Sequence, residues 1–490
     1  MKKSALLLSF FFMVNLSFSQ IISQGSVSEY LDDGSGQGII RQQSGVDPEM
    51  DFTDYSLFRK APYLLFTGNN DEMLIVWQLD STKTCHVEWG TDTIYADGSV
   101  YTEEYGDDHQ HKTTLTGLTP NTKYFYRVSC DNTNIEYGSF ISGAEESAEE
   151  ISFYAYGDTR TNGGIHNQVA KKILDDMSQH PGAQTFIISS GDLVSNGNNE
   201  SDWQNQFFSP DYGYIREMLA NLPYMAAMGN HEGQGVLFHK YFPYPMFVSS
   251  RYYYSFDYGP AHFTVIDQFT SYGAGSAQYE WMVNDLASTD KNWKIMVFHE
   301  PGWSAGGGHP NNTQVQNVIQ PLCVQYGVQL VINGHNHYYA RAVVNGIDHI
   351  TTGGGGAPLY NPNPNADSIV IVSRKYHYCR VDIAGDTLTY TVIDKDGNVI
   401  ETFERYLDYQ SVTINPERNL FKIATTWHTV RVMNKENIKG VLSVYDTFGH
   451  LVNRQQLLNP ENSVHIDIPG IYFVRIDYEG ERVVKKIFVR

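Results

Sequence analysis

Residues 327–337, Gly-Val-Gln-Leu-Val-Ile-Asn-Gly-His-Asn-His, combine a short apolar run with two histidines that follow it directly. The run Gln329–Ile332 is typical of a buried strand, and His335 and His337 lie just beyond it. Four earlier segments repeat this plan, with Asp, Asn or His at the end of an apolar run: Gly157–Arg160, Gly191–Val194, Gly229–Glu232 and Val297–His299. Functional loops of layered α/β folds lie at the carboxyl ends of strands, so we expect these side chains to meet.

The region around these segments, residues 151–405, alternates apolar runs with amphipathic stretches. The pattern predicts strands at 151–156, 185–189, 294–298 and 329–332, and helices at 166–177, 215–221, 277–286 and 315–326. Strands that alternate with helices indicate an α/β layer fold.

The regions before and after the α/β region, residues 61–143 and 411–490, show alternating patterns that predict short strands, and they lack a helical period. We therefore expect a small all-β sandwich on each side of the α/β domain. Ahead of them, Lys2 and Lys3 precede an apolar run, which is typical of a secretory signal peptide. The predicted organisation is a signal peptide at 1–20, a lead-in segment at 21–60, a β domain at 61–143, the α/β domain at 150–405 and a second β domain at 411–490.

Composition argues against three kinds of protein: a duplex nucleic-acid binder, a membrane-anchored protein and a protein with a thiolate metal site. The 490 residues carry a formal net charge of -21, which disfavours duplex nucleic acid as a partner. After the signal peptide no run is apolar for the ~20 residues that a membrane-spanning helix needs, so no transmembrane anchor is expected. The four cysteines form no close pair that would suggest a thiolate metal site. Cys85 and Cys130 fall in the same predicted domain, where a disulfide and free buried thiols are both open.

The side chains of the five segments suit a pair of metal ions. Carboxylate, imidazole and amide groups are ligands for hard or borderline cations. Two cations about 3.5–4 Å apart need one ligand that reaches both, and an Asp can do this. Taken singly, the Asp residues could instead cap helices and the Asn could lie in a turn, but those roles do not explain the whole set.

The five segments match, in order and composition, the signature of the calcineurin-like metallophosphoesterase superfamily. Residues 297–301, 307–309 and 327–341 most resemble the purple acid phosphatases. The resemblance implies a four-layer αββα sandwich. Residues 118–124 resemble the late-strand entry of a fibronectin type III domain, and such a domain ahead of the catalytic one also fits that branch.

The resemblance also implies roles for individual residues. His231 would either donate a proton to the leaving alcohol or stabilise the phosphorane-like charge. The metal ligands would be Asp158 and His337 at the first ion, Asp192 at both ions, and Asn230, His299 and His335 at the second. The ions themselves would be Fe, Zn or Mn, with their identity open.

Two positions depart from the family pattern. Arg160 stands where many members have a histidine, and Ser195 stands where purple acid phosphatases have a tyrosine. The first ion therefore keeps Asp158, Asp192 and His337 as recognisable ligands. We expect Arg160 to grip phosphate or, alternatively, to steady the loop through a salt bridge. His166 and His309 are further candidates for phosphate contact, and His166 is also a candidate for the vacant ligand place.

The last 80 or so residues resemble the type A sorting domains of type IX secretion substrates. The resemblance depends on four stretches: 414–417, 444–449, 470–474 and the basic finish 485–490. It implies export through the periplasm to the cell surface or medium, with the type IX secretion machinery as partner. An accessory carbohydrate- or protein-binding sandwich is the alternative.

The sequence thus predicts a secreted dinuclear-metal phosphatase that hydrolyses small phosphomonoesters by attack of a metal-bound hydroxide. A phosphodiesterase or nucleotidase of the same superfamily is the nearest alternative. A non-catalytic surface binding protein is the alternative from a different class. Arg160 and Ser195 replace family residues at the first ion, and such a loss could abolish turnover while the fold is kept.

Overall fold

The computed structural model describes two short strands and most of the chain from residue 57 onward. The described ranges are 26–31, 39–44, 57–131, 134–248, 251–407, 420–426, 428–435, 437–446, 450–468, 470–478 and 481–489. The predicted signal peptide lies outside them. Strands β1 (Ser26–Leu31) and β2 (Ile39–Ser44) form an antiparallel pair within the predicted lead-in segment. Over these ranges no helix combines the length and the apolar character that a membrane crossing requires.

The first β domain is built from seven strands in two antiparallel sheets, with the orders β3-β4-β7 and β6-β5-β8-β9. The strands are β3 (Phe58–Leu65), β4 (Met73–Leu79), β5 (Cys85–Gly90), β6 (Gly98–Thr102), β7 (Gln110–Leu115), β8 (Lys123–Ser129) and β9 (Ile135–Ile141). Alternate residues of β8, such as Tyr126 and Val128, are buried in the common core. A disulfide joins Cys85 to Cys130, which decides between the two outcomes left open by the sequence.

The central region contains thirteen strands in two sheets and six α-helices. The strands are β10 (Glu150–Tyr156), β11 (Ile187–Ser189), β12 (Tyr224–Ala226), β13 (Tyr254–Tyr258), β14 (Ala261–Val265), β15 (Trp293–Val297), β16 (Leu330–Asn333), β17 (Tyr339–Val344), β18 (Ile347–Thr352), β19 (Ile369–Ser373), β20 (His377–Ala384), β21 (Thr387–Asp394) and β22 (Val399–Tyr406). The helices are α1 (Gly163–Gln179), α2 (Glu200–Asp202), α3 (Gly213–Asn221), α4 (Val236–Tyr241), α5 (Ala277–Ser288) and α6 (Gln320–Tyr326). The helix predicted at 315–326 begins as a π-helical turn, Val315–Ile319, before α6.

The two central sheets pack face to face. Their orders are β12-β11-β10-β20-β21-β22 and β13-β14-β15-β16-β18-β17-β19. Phe153 and Phe186 of the first sheet region stack on each other and meet Phe263 of the second edge-on, so this core lies between the sheets. Val169 and Ile173 of α1 pack on the outer side of the first sheet, and α5 and α6 cover the second sheet with a separate core. The predicted αββα layering is confirmed.

The five segments meet because of strand direction. β10, β11 and β12 are parallel neighbours, and β15 and β16 are parallel neighbours in the facing sheet. Each of the five segments follows the carboxyl end of one of these strands. Since the ends of parallel strands lie along one edge of a sheet, all five loops reach the same edge of the sandwich.

The first β domain and the α/β domain share a buried contact. Tyr63, Leu65 and Leu74 of the β domain belong to the same apolar cluster as the core between the central sheets. The fully buried ammonium of Lys60 lies 2.8 Å from a carboxylate oxygen of Glu200. The β domain therefore packs against the α/β domain at the start of α2, which carries Glu200.

The C-terminal region forms a second small β sandwich. Its strands are β23 (Phe421–Thr426), β24 (Thr429–Asn434), β25 (Gly440–Tyr445), β26 (Leu451–Leu457), β27 (Glu461–His465), β28 (Gly470–Tyr478) and β29 (Glu481–Val489). They form two antiparallel sheets in the orders β23-β24-β27 and β26-β25-β28-β29. The core contains Val432, Val444 and Val474, as alternating patterns predict.

One buried ion pair in the second central sheet predicts a pH dependence of stability. His262 lies 2.6 Å from Asp257 and 3.0 Å from Asp285. Burial lowers the pKa of His262, but the bonds with the two carboxylates raise it more, to about 9. The stabilisation is therefore complete below the unfolded pKa of about 6.5 and is lost as pH rises through about 9.

We expect His262→Gln to lower the melting midpoint by about 4–8 °C near pH 6, from a loss of about 2 kcal/mol, and by much less near pH 10. Differential scanning fluorimetry across this range checks the prediction. A difference between the two proteins that stays constant with pH would contradict it.

Candidate metal centre

Three residues of the candidate centre have left-handed backbone conformations. The φ angles are 56° at Asp158, 56° at Asp192 and 66° at His335. Such conformations are costly for residues other than glycine and persist where the surrounding structure enforces them. They turn the chain sharply after β10, β11 and β16, and thereby aim three strand ends at one point.

Glycines leave room for the two carboxylates. A Cβ placed on Gly229 would lie 2.2 Å from Asp192 Oδ1, and one on Gly334 would lie 2.3 Å from Asp158 Oδ2. Gly353 likewise approaches Asp158 Oδ2, at 2.8 Å from its ideal Cβ position. The carboxylates thus sit in backbone cradles that any side chain at these glycines would fill.

Three atoms with lone pairs converge on a fourth, His299 Nε2. This atom is 3.1 Å from Asn230 Oδ1, 3.1 Å from His335 Nδ1 and 3.4 Å from Asp192 Oδ2. His299 Nδ1 lies 2.8 Å from the Ser190 carbonyl oxygen, which can only accept, so this nitrogen carries the proton. Nε2 is then left unprotonated in neutral His299, and a cation satisfies all four atoms together.

This group is the second ion position of the sequence prediction. Asp192, His299 and His335 form the one cluster of three or more His, Cys, Asp or Glu groups with metal-binding spacing in the described part of the chain. All three are buried or half-buried. The donor set of carboxylate, imidazole and amide oxygen fits Zn, Fe or Mn.

The residues predicted to bind the first ion are arranged differently. Asp158 Oδ1 lies 3.5 Å from His337 Nε2, and His337 Nδ1 donates to the Pro358 carbonyl oxygen at 2.7 Å. The Arg160 guanidinium also reaches this place. Its Nη2 is 3.3 Å from His337 Nε2 and its Nε is 3.3 Å from Asp192 Oδ2.

Burial and mutual charge shift the pKa values of the centre. Burial raises the pKa of Asp158 to about 7, against the attraction of His299. Burial also acts to raise the pKa of Asp192, but His299 and His231 outweigh it and hold this pKa well below its usual range. Burial acts to lower the pKa of His299, yet Asp192 raises it to about 10, while burial and His299 lower the pKa of His335 to about 2. A bound cation favours the deprotonated form of all four groups.

His231 stands at the opening of the centre. Its Nδ1 donates to the Ser195 carbonyl oxygen at 2.6 Å, and its Nε2 lies 3.8 Å from Asp192 Oδ2. The side chain is 29% exposed, whereas those of Asp158, His299 and His337 are at most 1% exposed. Its backbone N–H donates to Asp192 Oδ1 at 2.9 Å. His231 is therefore fixed at one nitrogen and open to solvent near the other.

The structure separates the two remaining histidine candidates. His309 stacks on the ring of His335 at 3.7 Å and is partly exposed, so it borders the centre. His166 lies on the buried face of α1, where its Nε2 contacts the Tyr156 hydroxyl at 2.8 Å and its ring packs near Phe207. Neither phosphate contact nor a ligand role for His166 has support in this geometry.

Glu232 is a residue of the centre to which sequence reasoning gave no role. It is completely buried, and burial raises its pKa to about 7. Its carboxylate accepts backbone N–H bonds from Asp192 at 2.9 Å, Leu193 at 2.8 Å and Gly229 at 2.7 Å. It thus ties the loop after β12 to the loop after β11. Its place inside the segment Gly229–Glu232 was the available signal.

Three parts of the chain match described protein families. Residues 151–339 match the calcineurin-like phosphoesterase family, and residues 60–150 match the purple acid phosphatase N-terminal domain. Residues 415–490 match the secretion system C-terminal sorting domain. These matches confirm the resemblances, apart from the fibronectin comparison, which they do not address.

Curated relatives include plant purple acid phosphatases. Purple acid phosphatase 15 of Arabidopsis thaliana is 26% identical over 268 residues, covering 47% of this chain and 49% of that protein. The purple acid phosphatase of Glycine max is 28% identical over 255 residues, covering 49% of this chain and 54% of that protein. The chain thus spans about half the length of these curated relatives.

Solved structures share the fold. The purple acid phosphatase PPD1 from yellow lupin (Lupinus luteus) seeds aligns with a TM-score of 0.57 at 20% identity, covering 76% of this chain and 78% of that chain. PhoD aligns with a TM-score of 0.55 at 14% identity, covering 82% and 93%. The chain contains a calcineurin-like phosphoesterase domain, preceded by a purple acid phosphatase N-terminal domain and followed by a secretion system C-terminal sorting domain.

Proposed function

We propose that this protein is an exported, metal-dependent phosphatase that hydrolyses small phosphomonoesters with two bound cations of Fe, Zn or Mn. The observation that carries the proposal is the convergence of Asn230, Asp192 and His335 on His299 Nε2. A proton on His299 Nε2 can be donated to one of these neighbours at a time, whereas a cation can bind all of them together. The matches to the phosphoesterase family and to plant purple acid phosphatases give the class of reaction.

The proposed division of labour follows from the positions of the side chains. Bound cations supply Lewis acidity and a lowered pKa of water. Asp192 is the group within reach of both positions, since Oδ2 faces His299 on one side and Arg160 on the other. Asp158 and His337 are the proposed ligands of the first position, which is the role that the resemblance implies for them.

His231 is the proposed proton donor. Its Nδ1–H bond to the Ser195 carbonyl oxygen fixes the ring, and Nε2 is then the nitrogen that can hold and release a proton near the opening. Donation of this proton to the leaving alkoxide is worth about 10²–10⁴ in rate. Arg160 and His309 border the same opening and are the proposed contacts for the phosphate oxygens.

Export is the proposed setting. The C-terminal sorting domain indicates export or display at the cell surface. We propose in addition that the chain crosses the periplasm and uses the type IX secretion machinery. The buried disulfide between Cys85 and Cys130 suits an oxidising compartment.

A comparison of two nitrophenyl esters tests the proposal. We expect the metal-loaded protein to hydrolyse nitrophenyl phosphate with a kcat/KM at least about tenfold higher than that for the bis ester. The reason is that a dianionic monoester gains more than a monoanionic diester from cations and a guanidinium. Release of nitrophenol is the measurement.

Chelator-treated protein is the control and should be inactive until a cation is restored. Faster hydrolysis of the bis ester would favour a phosphodiesterase instead. Hydrolysis of neither ester by protein with restored metal would favour a non-catalytic binding protein.

A further inference from the structure

The two cation positions are unequal in this structure. At the second position, one side-chain atom each of Asn230, Asp192 and His335 lies within 3.4 Å of His299 Nε2. Among the described residues, the first position has Asp158 and His337 besides the shared Asp192. Two atoms that would serve it, His337 Nε2 and Asp192 Oδ2, each lie 3.3 Å from the guanidinium of Arg160.

The backbone around Arg160 is held in place. Arg160 N–H donates to the Asp192 carbonyl oxygen, and Thr161 N–H donates to Gln206 Oε1 at 2.8 Å. Thr161 has a φ of 74°, a strained value that its neighbours must maintain. The guanidinium itself donates from Nη1 to Thr161 Oγ1 at 3.2 Å. The guanidinium is thus directed into the centre by several contacts.

Ser195 is part of that support. Its hydroxyl lies 3.1 Å from Thr161 Oγ1 and 2.9 Å from Gln206 Oε1, the same oxygen that accepts from Thr161 N–H. Arg160 and Ser195, the two departures from the family pattern, are therefore physically linked. One brings a positive charge to the first position, and the other helps to hold the loop that carries it.

A fixed positive charge at this place opposes a cation. The Arg160 side chain is only 15% exposed, so water screens it weakly. A dication that shares Asp192 Oδ2 and His337 Nε2 with the guanidinium meets direct charge repulsion. Arg160 approaches the second position only through the shared Asp192 Oδ2, and among the described residues no other Lys or Arg contacts Asn230, His299 or His335.

We propose that Arg160 acts as a resident positive charge at the first position, so that the protein holds one cation tightly at the second position and a further cation only weakly. The inference rests on the proposed metal-dependent function and refines it. It names the residue that sets metal stoichiometry and predicts that the two ions load in sequence.

A metal count on the full chain tests the proposal. Protein freed of metal by a chelator is titrated with Zn²⁺ by calorimetry, then desalted and analysed for bound zinc. We expect the wild type to show a second equivalent at least about hundredfold weaker than the first, and to retain one ion per chain. Arg160→Met removes the charge at similar length and should retain two.

Arg251→Met is the matched control, because Arg251 is exposed and far along the chain from these loops. It should behave as the wild type. Two ions of similar affinity in the wild type would overturn the proposal, and so would a single ion in a folded Arg160→Met. If the phosphatase proposal alone fails, loaded protein leaves nitrophenyl phosphate intact while the ion counts still differ. If this inference alone fails, hydrolysis persists and the counts agree.

Discussion

Replacement of Asp192 by Asn is expected to lower kcat/KM for a phosphate monoester by at least about 10³-fold and to reduce the bound metal. Asp192 Oδ2 lies between His299 Nε2 and Arg160 Nε, so its negative charge serves both sides of the centre. Asn has nearly the same shape and keeps an oxygen for the His231 N–H. The fold should therefore survive while the charge is lost. Metal analysis and steady-state kinetics of the purified variant are the measurements.

Two comparisons make the result specific. Asp382→Asn changes a carboxylate at the opposite end of the first central sheet, where it contacts Ser152 and Arg380. This variant should leave both the metal content and kcat/KM unchanged. His231→Ala should keep the metal content and lose about 10²–10⁴ in rate. An Asp192→Asn protein with full metal content and near-normal rate would remove Asp192 from the centre.

The location of the centre could be predicted because it follows from strand direction. Five apolar runs, each ending in a metal-binding residue type, suffice once β10–β12 and β15–β16 are parallel neighbours. Parallel strands place their carboxyl ends together whatever the detailed packing. The local geometry was not accessible in this way. Left-handed backbone at Asp158 and Asp192 depends on the glycine cradles and on contacts from distant loops.

The burial of His166 follows from its helical spacing, which the sequence does contain. His166, Val169 and Ile173 are spaced by three and four residues, so they share one face of α1. Because Val169 and Ile173 face the sheet, the same spacing buries His166 beside Tyr156. His166 is close to Asp158 in sequence, but its position on the buried face of α1 keeps its side chain away from the candidate centre.

The strands after β16 show a different limit. β17, β18 and β19 extend the second sheet, and β20, β21 and β22 complete the first. The chain therefore crosses from one sheet to the other between β19 and β20. Alternating patterns predict strands, but they do not indicate which of the two facing sheets each strand joins.

The contacts of Arg160 likewise could not be predicted from the sequence. The sequence left open whether this side chain grips phosphate or forms a salt bridge. The structure shows contacts to Asp192 and His337, both of which the resemblance assigned to the first ion. The distances show that Arg160, a departure from the family motif, brings a positive charge to the residues predicted for the first ion.

Glu232 is the residue whose loss should most disturb the architecture of the centre. Its two carboxylate oxygens accept three buried N–H groups, from Asp192, Leu193 and Gly229. These bonds hold the loops after β11 and β12 at the spacing that lets Asp192 and Asn230 face the same histidine. Removal of the carboxylate leaves the donors without a partner in a site that excludes bulk water.

We expect Glu232→Ala to destabilise the α/β domain by about 3 kcal/mol or more, because each buried N–H that loses its acceptor costs about 1–3 kcal/mol. Glu232→Gln should cost less, since its one amide oxygen can still accept at the position that serves Asp192 and Gly229. Thermal melting in the absence of metal is the measurement, and Glu280→Ala on the exposed side of α5 is the matched control. The order of melting midpoints should be wild type and Glu280→Ala, then Glu232→Gln, then Glu232→Ala. Equal midpoints for all four proteins would mean that the loops keep their positions without the carboxylate, and Glu232 would then have no structural part in the centre.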